Sequence, residues 1–338
     1  MAHISSKVKF AVIGFGYIGM RHANTILSNE SCELVALIDV KQQDPLAIEK
    51  YDVPFFFSLD AFFDSEIQAD VITIASPNGL HAEHAMKCLN RGKHVVVEKP
   101  MALNKSDAEK MISTALSVNR QIFVVMQNRY APPVTWIKGL LEKEQLGKIY
   151  LVQVNCFWNR DERYYKAGGW HGKQDMDGGP LFTQFSHFID IIYWLFGDII
   201  NIQGRFKDYN HQTLTEFEDS GFVSFDFING GMGTLNYSTA VWNQNLESSM
   251  TIIAANGSIK IGGQYMDKVE ICNVKGYEMP ENDHGASKGS VANHQYVIRN
   301  VVDVLNGRAS IATNALEGLK VVDIIERIYN CKIHIYNQ

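Results

Sequence analysis

The sequence predicts two domains in tandem: an α/β domain on a doubly wound parallel sheet, then an α+β domain on a largely antiparallel, open sheet. Three observations carry that prediction. The chain has 338 residues, room for two hydrophobic cores at roughly 150 residues each. Up to residue 126, short apolar runs alternate with helical segments, the pattern of strands buried on both faces and joined by right-handed crossovers. From residue 148 onward the strong candidates are strands, linked by turn signals such as Asn229-Gly230-Gly231 and Asn256-Gly257. The expected domains are 1–126 and 127–292.

The elements follow in order. Residues 8–14 form an apolar run and the first strand, and a helix follows to about Leu27. Residues 34–39, 54–57, 71–75, 93–98 and 122–126 are the next five strands. A helix at about 80–90 joins the fourth to the fifth, and Asn104 is placed to cap another, with Asp107 in its first turn. After a helix around 134–143, the strands of the second domain are 149–158, 221–227, 233–239, 249–255 and 268–272. One helix, at about 181–195, interrupts them, and residues 280–290 form the least structured stretch, expected to be a mobile loop. Helices at about 293–305 and 315–328 close the chain; Asn314 and Glu317 give the second a capping-box start.

Composition narrows the function. Lysine plus arginine number 31 against 37 aspartates plus glutamates, a net charge of −6 that offers nucleic acid no global attraction. The five cysteines are scattered, with no CxxC pair, as expected of reduced thiols in a cytoplasmic protein. Lys7 and Lys9 precede an apolar run, but Gly14, Gly16 and Gly19 interrupt it and no small-residue cleavage site follows, which argues against a signal peptide. No apolar run reaches the roughly 18 residues that a membrane helix needs.

Gly14-Phe15-Gly16-Tyr17-Ile18-Gly19 is a GxGxxG motif that closes a buried strand and opens a helix, and Asp39 ends the next strand 20 residues after Gly19. In a dinucleotide-binding Rossmann domain the first glycine permits the turn, the second admits the pyrophosphate, and the third lets helix and strand pack. The helix start supplies N–H groups to the phosphates. Asp39 is suited to the adenosine ribose hydroxyls, and its charge opposes a 2′-phosphate, so NAD is expected rather than NADP. The bland alternative is a glycine-rich turn with no ligand. The nicotinamide is expected near the ends of later strands, which read Ala75-Ser76-Pro77-Asn78, Glu98-Lys99-Pro100 and Gln127-Asn128-Arg129. Lys99, at a buried strand end, is a candidate for proton transfer; a surface lysine beside Glu98 is the alternative. In the interrupting helix, Thr183, His187 and Asp190 fall at i, i+4 and i+7 on one face, where a satisfied core histidine competes with a catalytic one.

These residues carry a resemblance. The glycine motif, Ser76-Pro77-Asn78 with His81, the string Gly92-Lys93-His94-Val95-Val96-Val97-Glu98-Lys99-Pro100 and a GG…HxxD helix together resemble the Gfo/Idh/MocA oxidoreductases over essentially the whole chain. The resemblance implies a Rossmann domain, an oligomer-building α/β domain, and a C-terminal segment from about 293 to 338 that packs back on the first domain. It also implies a cis bond at Lys99-Pro100, Lys99 as the catalytic lysine, His187 as the active-site histidine, and Ser76, Asn78, His81, Glu98 and Gln127 around the cofactor. Many members carry aspartate where this chain has Thr183, which shifts weight from His187 to Lys99 as the base. With Gln184 and the segment Tyr164-Tyr165 … Trp170-His171-Gly172 … Asp177-Gly178-Gly179, that feature is closer to the branch of sugar-nucleotide 3-dehydrogenases acting on UDP-N-acetylglucosaminuronate, from which the chain departs in having His171 where the arginine of a WRG is usual.

The resulting expectation is an NAD-dependent oxidoreductase for a secondary alcohol or ketone of a sugar, at C3 of a sugar nucleotide. The loop at residues 159–173, rich in cations and aromatics, is expected to grip an anion through Arg160 and Arg163, with Arg129 nearby; the alternative is a solvated loop. A free polyol or monosaccharide dehydrogenase of the inositol type and a non-catalytic NAD and sugar sensor are the rivals. His81-Ala82-Glu83-His84 is the only close histidine pair, and no metal is expected there. The expected partners are the small substrate and further copies of the chain, as a homodimer or homotetramer through the open sheet, with neither nucleic acid nor membrane.

Overall fold

The computed structural model describes residues 7–41, 48–279 and 293–331, so the stretch expected to be least ordered, 280–290, lies outside the described residues. Two compact units are present: Met1–Met126 with His294–Val322, and Gln127–Asn293 with Asp323–Gln338. The predicted fold class is the observed one.

The first unit holds a six-stranded sheet. Its strands are β1 (Val8–Ile13), β2 (Cys32–Ile38), β3 (Phe55–Phe56), β4 (Val71–Ile74), β5 (His94–Val97) and β6 (Ile122–Val124). They lie in the order β3-β2-β1-β4-β5-β6, and every pairing is parallel. The continuous apolar runs have their cause here: all of β4 and β6 is buried, so no solvent face imposes alternation. The helices are α1 (Tyr17–Leu27), α2 (Leu59–Phe63), α3 (His81–Asn90), α4 (Lys105–Ser117), and later α8 (His294–Leu305) and the start of α9 (Ala315–Asn330). Ile13 pairs with both Ile38 and Ile74, and Ile74 with Val97, so Gly14, Asp39, Ala75 and Glu98 emerge together at one sheet edge. That edge lies where the strand order reverses, between β1 and β4, the place where α/β sheets bind ligands. Asn104 caps α4 by accepting from Asp107 N at 2.8 Å. The chain returns through Thr313, whose hydroxyl donates to Val124 O at 2.6 Å beside β6.

The second unit holds α5 (Pro132–Glu142), β7 (Ile149–Phe157), α6 (Pro180–Thr183) and α7 (Ser186–Phe196), then β8 (Ile199–Lys207), β9 (Ser220–Phe227), β10 (Met232–Ser238), β11 (Glu247–Ala254), β12 (Gly257–Gly262) and β13 (Lys268–Val274). Its seven strands lie in the order β13-β12-β11-β7-β10-β9-β8, antiparallel except for β7 with β10. One face packs Val152, Val154 and Cys156 into a core with Trp158, Phe185, Phe188 and Tyr237. The other carries Gln153, Asn155, Thr234, Asn236 and Thr251 in register with partly exposed Phe222, Met232 and Ile253.

The structure departs from the sequence expectations at four places. β8 and β12 are strands where the sequence predicts links. The helix expected at 181–195 is two helices, because Gln184 N and Phe185 N both return to Pro180 O and end the first after one turn. The final helices are α8 (His294–Leu305) and α9 (Ala315–Asn330), and Asn314 and Glu317 form the expected capping box, at 3.0 and 3.2 Å. The return to the first unit stops at Val322; from Asp323 the chain groups with the second, where Arg327 donates to Ile199 O at 2.6 Å and Tyr329 packs on Phe182 and Phe206.

Candidate active site

The glycines of the first unit divide the work as the motif requires. Gly14 has φ +84°, and a Cβ there would lie 2.4 Å from the backbone of Ala75 and Ser76. A Cβ on Gly19 would lie 1.9 Å from Gly14 O, while one on Gly16 would meet nothing within 4 Å. Gly16 thus leaves open space at the start of α1, whose first N–H groups have no side-chain cap. Asp39 stands at the same edge; its Oδ2 accepts from Phe15 N at 2.6 Å and its Oδ1 from Lys41 N at 2.9 Å. Each oxygen keeps a second lone pair, so the carboxylate tightens the loop and retains capacity for ribose hydroxyls. Open space at Gly16, uncapped N–H groups and a terminal carboxylate fit a dinucleotide. The Phe15 ring is buried edge-on against Tyr51 at 5.2 Å, so this residue serves through its backbone; Tyr17 is exposed and stacks with Arg21, and Ile18 is half-buried.

Beyond β4, Ser76 Oγ lies 2.9 Å from His84 Nδ1, and burial pushes that ring down to about 4, so His84 is neutral. Asn78 is buried in a single 3-10 turn. His81 is buried with Nδ1 2.7 Å from Pro100 O and Nε2 2.8 Å from Ser76 O, and burial lowers its pKa. A neutral ring donates to one of these carbonyls at a time, and it braces the chain on either side of the site. The expected cis bond joins Lys99 to Pro100. Lys99 is half-buried, while Glu98 is buried and bonded to His22 at 2.7 Å. His81 and Glu98, expected around the cofactor, are therefore engaged inside the protein.

In the second unit, His187 Nε2 lies 3.3 Å from Gln127 Nε2. Thr183 is not on the helix of His187 as a common helix face predicts, because α6 ends between them, while Asp190 follows His187 by three residues on α7. Thr183 Oγ1 donates to Asp177 O at 2.8 Å and to the Asp177 carboxylate. Asp190 holds Arg129 in a buried fork, Nε–Oδ2 2.9 Å and Nη2–Oδ1 2.6 Å, with the guanidinium over Trp194. Arg129, expected to touch substrate, is instead part of this internal pair.

Asp177 is the residue to which the sequence assigns no role beyond its place in the motif segment. Fully buried, its carboxylate accepts from Gly172 N at 2.9 Å and from Thr183, and it lies 3.7 Å from His171 Nδ1. It ties the loop at 159–173 to α6. In that loop Trp170 stacks on His171 at 3.7 Å, and His171 on Tyr164 at 4.3 Å; Gln184 donates to Tyr164 OH at 3.0 Å. Arg160 lies over both Trp158 and Tyr164. Arg163 is exposed and forked onto Asp161, with Nη2–Oδ2 at 2.6 Å, which holds the Asp161 carboxyl below its usual range. Tyr165 is buried against His211 and Phe217, and burial pushes its hydroxyl up. Arg163 is thus paired with Asp161, and Tyr165 belongs to the core.

Residues 8–126 match the oxidoreductase family with an NAD-binding Rossmann fold, and residues 134–260 match the C-terminal domain of the same Gfo/Idh/MocA group. The chain belongs to the Gfo/Idh/MocA oxidoreductases, and its first domain is the family's NAD-binding domain. It is similar to the WlbA dehydrogenase of Chromobacterium violaceum, solved with NADH and UDP-GlcNAcA, at 29% identity and TM-score 0.88, covering 97% of this chain and 94% of that one. The WlbA dehydrogenase of Bordetella pertussis, with the same two ligands, gives 30% identity and TM-score 0.86 over 96% of each chain. Glucose-6-phosphate 3-dehydrogenase of Bacillus subtilis is 30% identical over 203 residues, 59% of this chain and 57% of that protein. The chain thus spans under three-fifths of that relative's length.

Proposed function

We propose that this chain is an NAD-dependent dehydrogenase that oxidises a secondary alcohol of a sugar, at C3 of a sugar nucleotide, or reduces the corresponding ketone. The observation that carries the reading is the first unit's strand-end edge, where the open Gly16 space, Asp39 and Lys99 emerge together. Nearly full-length similarity to two dehydrogenases solved with NADH and UDP-GlcNAcA supports the substrate class.

When bound, NAD would supply the hydride acceptor or donor. Asp39 and the α1 start orient the dinucleotide. Lys99 Nζ takes the hydroxyl proton during oxidation and returns it during reduction. His187, held by Gln127, and His171, stacked between Trp170 and Tyr164, orient the sugar, and Arg160 meets its anionic group. The exposed sheet face with Phe222, Met232 and Ile253 takes a second copy of the chain.

One observation favours a second reading, a dehydrogenase for neutral glucosides: Arg163 is already paired with Asp161, which weakens the loop's grip on an anion. Following NADH absorbance with UDP-GlcNAcA, glucose 6-phosphate and methyl glucoside separates the two. Highest kcat/KM with the sugar nucleotide supports the first, and highest with the neutral glucoside supports the second.

A further inference from the structure

Three buried titratable side chains meet in the first unit, and the proposed reaction leaves them unused. His22 lies in α1, one turn past Gly19; Glu98 follows β5; His294 opens α8. Their relative exposures are 0%, 6% and 1%. His22 Nε2 donates to Glu98 Oε1 at 2.7 Å, and His294 Nε2 lies 3.4 Å from the same oxygen. The two rings meet edge-on at 5.3 Å. The second carboxylate oxygen, Oε2, accepts from Lys99 N at 3.2 Å.

A carboxylate this deep is costly unless its partners compensate it. Burial favours the neutral acid at Glu98, yet the two histidines outweigh it and hold the carboxyl well below its usual range, while burial lowers the His22 pKa. The parallel ladder of β5 ends at Val97, so the sheet does not require an ionised residue at position 98. What the carboxylate does hold is the main chain of Lys99 on one side and α1, the helix of the glycine loop, on the other.

We propose that His22 and His294 are positioning residues for Lys99: they fix the buried Glu98 carboxylate, and that carboxylate fixes the lysine's backbone. The inference rests on Lys99 being the proton-transfer group. His81 completes the frame on the far side, through Pro100 O at 2.7 Å. The charged and titratable groups around Glu98 are His22 and its neighbour Arg21 on α1, His81 on α3, His294 on α8, and Lys99 itself. The ligand atoms of the triad lie within 4.8 Å of one another, so a cation is the competing occupant. A closed zinc site asks for four ligands, and here two of the three are already joined by a hydrogen bond.

The test compares Glu98→Gln, His294→Phe and Lys99→Met with the parent protein by kcat, KM, NAD affinity, melting temperature, pH profile of oxidation and metal content. Glutamine removes the charge and keeps one acceptor oxygen, enough for Lys99 N or for His22 but not for both. Expected for Glu98→Gln are NAD affinity within about threefold, kcat lower by about tenfold or more, and an acidic limb moved down by about half a pH unit or more. The limb moves down because loss of an adjacent anion lowers the lysine pKa. His294→Phe keeps a ring and is expected to lower kcat about three- to tenfold with NAD binding retained; should Glu98→Gln fail to fold, it carries the same readouts. A Glu98→Gln protein with unchanged kcat and limb overturns the proposal, as does a lowered melting temperature with an unmoved limb, or stoichiometric metal that His294→Phe removes. If Lys99→Met turns over normally, the assignment of Lys99 itself fails; if only Lys99→Met is inactive, the positioning role fails alone.

Discussion

Alanine at each glycine of the loop should separate folding from cofactor binding. Gly14 sits at φ +84°, where an L-residue costs about 1–2 kcal/mol, and its new Cβ would press to 2.4 Å on backbone atoms that cannot rotate aside. Overpacking adds about 1–3 kcal/mol, for a total of about 2–5 kcal/mol. At about 2–4 °C per kcal/mol, Gly14→Ala should melt roughly 4–20 °C lower. Gly16 has φ −80° and open surroundings, so Gly16→Ala should melt within about 2 °C of the parent. Its methyl group occupies the space proposed for pyrophosphate, so NAD should bind at least about tenfold more weakly, a loss of about 1.4 kcal/mol. Scanning calorimetry and calorimetric NAD titration read the two effects separately. Unchanged NAD affinity in Gly16→Ala, or a parent-like melting temperature in Gly14→Ala, would refute the reasoning.

Asp190→Ala should cost about 3–5 kcal/mol, measured by denaturant unfolding, because it strands the buried Arg129 charge, while Arg129→Met with Asp190→Leu should recover most of that loss. Arg160→Ala should raise KM for an anionic sugar nucleotide about tenfold and Arg163→Ala less than about threefold, in steady-state assays with NAD saturating; the reverse ranking contradicts the placement of Arg160 over Trp158 and Tyr164. His84, lowered to about 4 in the fold, binds its proton more readily when unfolded. Its contribution, about 3 kcal/mol at most, is present above pH 6.5 and lost as pH falls toward 4, so His84→Asn should flatten the melting profile over that window.

The parallel sheet and its ligand-binding edge were legible because strands buried on both faces read as unbroken apolar runs, and because GxGxxG with Asp39 has a fixed spacing. β8 was not legible: Asn201, Gln203, Arg205 and Lys207 alternate along an edge strand that presents little apolar signal. Nothing in the stretch from Leu181 to Phe188 announces the break after α6, and that break puts Thr183 and His187 on different helices. The pairings that define the site's interior have no period at all. Arg129 meets Asp190 across 61 residues and His22 meets Glu98 across 76, so only tertiary structure brings them together. The pairing of Asp177 with Thr183 escaped for the same reason, since a loop carboxylate has no helical or strand spacing to its partner.

The central claim is that Lys99 moves the proton in an NAD-dependent oxidation of a sugar nucleotide. Its most direct test is NADH formation at 340 nm with UDP-GlcNAcA at saturating NAD, for the parent and for Lys99→Met, with NAD affinity measured on both. The account expects turnover by the parent, a fall of about two to four orders of magnitude in Lys99→Met, and equal NAD affinity. NADH formation by Lys99→Met at the parent rate, with NAD bound equally well, would contradict it.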